Sequence, residues 1–177
     1  MKKSLSLADV YRLLEPGPVV LLTTALKGQT NVMPMSWHTM MEFEPPLVGC
    51  VVSNRNHSFG LLRASKECVI NVPTVRLISE TVHCGNCSGR TTDKFAAFGI
   101  TPLPAQHVQA PLVGECPVNL ECRVVNTRMV TPYNLFVLQE IKAWRDPRPK
   151  RLQTFHHLGL GRFMVAGATR VLPSRKK

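Results

Sequence analysis

Val118-Asn119-Leu120-Glu121-Cys122-Arg123-Val124 alternates apolar and polar residues without a break. In an extended chain successive side chains point to opposite faces, so the stretch predicts a half-buried β-strand. Leu135–Ile141 follows as a second. Toward the N-terminus, Glu67–Val72, Leu47–Val52 and Val19–Thr24 are further short runs rich in Val, Leu, Ile and Thr. Asn31–Met40 is also extended, with Pro34 marking a sheet edge or a bulge. Lys27-Gly28-Gln29 is a turn and Glu44-Pro45-Pro46 a break. After a Pro-broken turn over Arg145–Lys150, Leu152–Phe155 and Arg162–Ala166 are two more candidate strands.

The helices are few and short. Ser6 is a candidate N-cap for an N-terminal helix over 1–15, with Leu7, Val10, Tyr11 and Leu14 on one face and Pro16-Gly17-Pro18 ending it. Phe59–Ala64, a stretch from Pro73-Thr74 through about Val82, and Asp93–Phe98 closed by Gly99 complete the set. Six or seven strands without full crossover helices between the early ones predict a mainly β fold. The expected form is a small antiparallel barrel with peripheral helices, not a parallel doubly wound sheet.

The 177 residues, 44% hydrophobic and 19% charged, suit a single domain over 1–177 and exclude a disordered or fibrous chain. No apolar run approaches the roughly 20 residues of a membrane span, and no apolar signal region follows the first lysines, so a cytoplasmic protein with six reduced cysteines is expected. The net charge of +11 is uneven. Nine of the 22 basic residues, against one of the 11 acidic ones (Asp146), lie from Arg145 onward and end in a basic tail over 168–177. Such a field attracts anions: phosphorylated cofactors, an acidic protein partner or nucleic acid. With only 6% aromatic residues and no stacking platform on a strand face, nucleic acid is the weakest of these.

No Gly-x-Gly-x-x-Gly, Walker loop or Gly-x-Ser-x-Gly elbow is present, so a nucleotide would need another device. Ser53-Asn54-Arg55-Asn56-His57-Ser58 is one: Ser58 can cap the following helix, whose free N–H groups, with Arg55 and His57, suit a phosphate. Cys84-Gly85-Asn86-Cys87-Ser88-Gly89-Arg90 is another, with two glycines for close backbone approach and Ser88, Arg90 and Lys94 as donors. Its Cys-x-x-Cys lacks the second half of a zinc ribbon and opens no thioredoxin-like unit, so no metal site is expected. Asn31 and Ser36 offer hydrogen bonds to a heterocycle, and Trp37 a planar wall. Adjacent His156 and His157 point to opposite faces, which leaves one of them near a ligand. Each of these devices also has an ordinary structural reading as a capped helix, a glycine turn or a core tryptophan.

In this order the pieces resemble one family, the flavin reductase-like proteins with an FMN-binding split barrel, which include flavoredoxins. The likeness runs from about Pro16 to Gly167. It rests on Thr23-Thr24 with Gly28 and Asn31, Pro34-Met35-Ser36-Trp37, Ser53–Ser58, Val69-Ile70-Asn71-Val72-Pro73, Cys84–Arg90, Asp93-Lys94-Phe95 and His157–Phe163. Leu160 stands where the family often has glycine, and Phe163 where it often has tyrosine. The resemblance implies a six-stranded split barrel and a homodimer with one FMN per subunit. It implies that Asn31, Met35, Ser36 and Trp37 flank the isoalloxazine, and that Ser53, Asn54, Arg55 and Ser58 hold the ring edge and the phosphate. Asn71 would lie beneath the flavin, Ser88, Gly89 and Lys94 would reach the phosphate or ribityl chain, and His157 would come from the C-terminal loop. The implied activity is an NAD(P)H-dependent flavin reductase, or else a flavoredoxin-like carrier with little direct NADH or NADPH turnover.

Overall fold

The computed structural model describes residues 2–10 and 17–173. β2 (Val20–Leu26) is buried over six of its seven residues and turns back through Lys27-Gly28 into β3 (Gln29–Met35). Lys27 and Gly28 have φ of 50° and 82°, the left-handed pair that a two-residue hairpin requires. Pro34 lies on β3, an outer strand, where its missing N–H costs no ladder bond.

The segment Asn31–Met40 is two strands, not one. β3 pairs with β2, whereas β4 (His38–Phe43) pairs with β5 (Pro46–Val51). The main sheet continues through β6 (Glu67–Val72), β9 (Val118–Asn126) and β10 (Leu135–Arg145), in the order β3-β2-β6-β9-β10-β5-β4, every pairing antiparallel. The outer strands β3 and β4 are joined by only Ser36-Trp37. Seven strands laid flat would hold them about 29 Å apart, but the link from Met35 to His38 reaches about 11 Å. The sheet therefore curls on itself.

A short β1 (Lys3–Leu5) pairs with β10, so the sheet has eight strands, two more than the six of the barrel that the resemblance implies. β1 also replaces the start of the expected N-terminal helix. Ser6 makes no side-chain cap, and Leu7–Asp9 is a single 3-10 turn that drops Val10 into the core. The remainder of that expectation, residues 11–16, falls outside the described residues.

Among the described residues two helices and two single helical turns decorate the sheet: α1 (His57–Ser65), α2 (Ile78–Asn86), α3 (Lys94–Ala97) and α4 (Val130–Tyr133). Asp93 caps α3 as its sequence suggests, accepting from Phe95 N and Ala96 N. β7 (Pro102–Leu103) and β8 (Leu112–Val113) pair beside the sheet, and β11 (Phe155–His157) pairs with β12 (Phe163–Val165) near the C-terminus.

Inside the curl, Val20, Leu22, Val48, Ile70, Leu120, Phe136 and Leu138 form one apolar core. β9 departs from simple alternation because both its faces are covered. Asn119 and Glu121, the polar members of the pattern, are fully buried under residues 101–117. Glu121 accepts from Gln106 N, His107 N and Trp144 Nε1, which satisfies its carboxylate without water.

Candidate functional site

A trough follows β3 round Pro34, where three clefts share walls. The first, about 290 Å³, lies between β3, the start of α1 and the loop after α2, and is lined by Asn31, Arg55, His57, Ser58, Ser88, Gly89 and Lys94 among others. The second, about 280 Å³, runs under the β11–β12 hairpin past Met35, Ser36, Thr81, Gly85, His157 and Phe163. The third, about 500 Å³, opens between Met35, Ser36, Trp37, Ser53 and the β9–β10 turn at Tyr133-Asn134.

The first cleft is polar and fixed. Asn31 Nδ2 donates to Ser58 Oγ (2.8 Å), and Thr24 Oγ1 donates to the same oxygen (3.3 Å). Having accepted twice, the Ser58 hydroxyl keeps its own hydrogen for a ligand. Ser58 is thus not the helix cap: Asn56 occupies the cap position without a side-chain bond, and Ser58 sits buried in the first turn. Lys94 is buried with its ammonium on the Cys84 carbonyl (2.6 Å), and desolvation lowers its pKa. His57 is lowered too, first by desolvation and then by the positive charges of Arg90 and Lys94. His57 is thereby held neutral, a hydrogen-bond donor rather than a charge, and the cations beside it, Arg90 and Lys94, suit an anion with several oxygens.

Gly89 approaches so closely that a Cβ there would stand 2.1 Å from Asn31 Oδ1, so only glycine fits. Ser88 shapes the same loop: its Oγ accepts from Arg90 N (3.2 Å), and its carbonyl accepts from Thr91 N and Thr92 N. The cysteine pair closes α2 rather than forming a turn before a helix. Cys84 is fully buried and pushed up to about 11 by that burial, and Cys87 Sγ donates to the His83 carbonyl (3.5 Å).

Eleven of the thirteen expected residues meet along the trough: Asn31, Met35, Ser36, Trp37, Ser53, Arg55, Ser58, Ser88, Gly89, Lys94 and His157. Two do not. Asn54 is exposed on its loop and lines none of the three clefts. Asn71 is fully buried on the far side of β6, where Nδ2 donates to the Leu21 carbonyl (2.9 Å) and Oδ1 accepts from Val113 N and Asn119 Nδ2. Every donor and acceptor of that amide is spent inside the protein, so Asn71 is a core strut and not a ligand contact.

His157 lies in the trough with its ring 5.4 Å from that of Phe163, while His156 does not line it. Tyr133 and Asn134 escaped the sequence reading. Their signal is the Thr131-Pro132-Tyr133-Asn134 breaker between two alternating strands, with Asn134 at φ 56°.

A family model described as "Flavin reductase like domain" matches residues 12–158. The Escherichia coli protein YddH is 32% identical, with the match covering 92% of this chain and 94% of YddH. Among solved structures, an FMN-binding domain of a flavin reductases-like enzyme from Shewanella baltica superposes with a TM-score of 0.91 at 25% identity over 98% of both chains. Flavoredoxin of Desulfovibrio vulgaris shares the fold, with a TM-score of 0.79 at 21% identity over 88% of this chain and 90% of its own.

Proposed function

The chain belongs to the flavin reductase-like domain family, and from that premise we propose that it is an FMN-dependent oxidoreductase drawing electrons from NADH or NADPH. The observation that carries the reading is the trough itself, which ends in a buried ammonium and paired hydroxyls and is walled elsewhere by flat or apolar groups.

The donor set fits FMN. Lys94, Ser58, Ser88 and the backbone at Gly89 would hold the phosphate, with Arg55 at its rim. Asn31 positions Ser58. Met35, Ser36, Trp37 and Ser53 would flank the ring, and His157 would close over it from the hairpin. When bound, FMN supplies hydride and single-electron transfer at its ring, so the protein is asked for binding, orientation and charge. The cations at the Lys94 end neutralise a phosphate. The open end at Trp37 leaves room for a nicotinamide donor.

Trp37, Met41, Phe43 and Tyr133 are exposed on outer strand β4, its lead-in and the facing turn. A large exposed apolar rim is the usual mark of an interface, and we assign it to a second copy of this chain. Among the described residues no helix is long and apolar enough to cross a membrane, and six free cysteines suit the reducing cytoplasm, where we place the protein.

The test is NADH and NADPH oxidation with and without added FMN. Turnover that depends on bound flavin is the expected result. Flavin that neither nucleotide bleaches, but a reduced ferredoxin-like donor does, would instead make the protein a flavoredoxin-like carrier.

A further inference from the structure

A separate cleft of about 570 Å³ lies away from the trough, where the ends of β6 and β10 meet the start of β9. Arg76, Arg148 and Arg151 line it, with Thr74 and Gln153 between them. The two segments that carry Arg76 and Arg151 are tied by Val75 N donating to the Gln153 carbonyl (2.9 Å).

The acids in the cleft are already engaged. Asp146 accepts from Arg148 Nε at 3.0 and 2.9 Å through its two oxygens and from its terminal nitrogen at 2.5 Å, which fixes that guanidinium. Glu115 accepts from Thr101 N through both oxygens, at 3.2 and 3.1 Å. Among the described residues neither Arg76 nor Arg151 makes an ion pair or a hydrogen bond through its guanidinium. Behind the Gly114–Pro117 wall a further cation is fixed, for the half-buried Lys2 ammonium donates to the Val113 carbonyl (3.2 Å) and to Asn119 Oδ1.

We propose that this cleft is a second anion site, which takes a phosphorylated small molecule through its phosphate or diphosphate group. Two free guanidinium forks, Arg76 and Arg151, facing one cleft beside a third held on Asp146 suit an anion with more oxygens than a carboxylate offers. The volume is that of a small-molecule site, and its concavity favours such a ligand over a flat protein surface.

Titration calorimetry with inorganic pyrophosphate at fixed ionic strength tests the proposal on the full chain. The variants are R76Q/R151Q, R76K/R151K and, in the trough, K94M. R76Q/R151Q should weaken pyrophosphate binding by about tenfold or more. R76K/R151K should weaken it nearly as much, since lysine keeps the charge but loses the fork. K94M should leave this binding in place whether or not the trough holds FMN, which separates the two sites. Circular dichroism and melting temperatures matched to wild type would keep a folding defect apart. Unchanged binding in R76Q/R151Q, full recovery in R76K/R151K, or complete loss in K94M would each overturn the proposal. These would point in turn to no site, a diffuse positive field, and the trough alone.

Discussion

At the Lys94 end of the trough the polar groups are buried and bonded to one another within the protein: Asn31 to Ser58, Lys94 to the Cys84 carbonyl, Gly89 pressed against Asn31. At the other end the walls are apolar and open, with Trp37 72% exposed, and beside them Leu160, at the tip of the β11–β12 hairpin, is 97% exposed. The fixed end has paid its ordering entropy in folding and so sets where a ligand sits. The open end sets what else can approach, whether a second substrate or a second copy of the chain.

The largest expected effect strikes the fixed end. Gly89→Ala forces a methyl into Asn31 Oδ1, so the loop or Asn31 must move and FMN affinity should fall about a hundredfold, read by quenching of flavin fluorescence. Lys94→Met keeps the packing but removes the charge. It should cost about 1.5–3 kcal/mol of FMN binding, the range of a charge-assisted contact. Arg55, exposed at the rim, should cost about 0.5–1 kcal/mol as Ala in the same assay, because water screens it. Equal losses for Lys94 and Arg55 would erase the distinction between the buried and the exposed cation.

Glu140 sharpens the comparison from outside the trough. It is fully buried on β10 with neither carboxyl oxygen hydrogen-bonded, and burial raises its pKa from 4.5 to about 8. Between those values the folded protein holds a proton that the unfolded chain has released. Stability should therefore fall as pH rises from about 5 to 8, by up to about 1.4 kcal/mol per pH unit. Glu140→Gln should flatten that slope in denaturant titrations and leave FMN affinity alone. The smallest effect is beside the open end. Leu160 stands at φ 51° between two glycines that are also left-handed, so Leu160→Gly should raise stability by up to about 1 kcal/mol.

Most of the strands were legible because Val, Ile and Leu runs bounded by Gly and Pro leave few alternatives. The reading failed where tertiary pairing decided. Lys3–Leu5 pairs with β10 rather than starting a helix, and Asn31–Met40 divides because its halves pair with different strands. Asn119 and Glu121 looked like a solvent face, yet residues 101–117 cover them, and nothing local to β9 announces that cover. At the site, loop chemistry in the sequence marks Gly89 and Lys94, and the structure sets both on the first cleft. Asn71 was misplaced because its motif tells its strand but not its face, and only the partners Val113 and Asn119 settle which way it points.

The central claim is that the trough holds FMN with its phosphate at Lys94. The most direct measurement is the visible absorption spectrum of the purified protein before and after denaturation, with Lys94→Met alongside. The account predicts a two-banded flavin spectrum that becomes that of free FMN on unfolding and is depleted in the variant. A colourless protein that also fails to quench added FMN would contradict it.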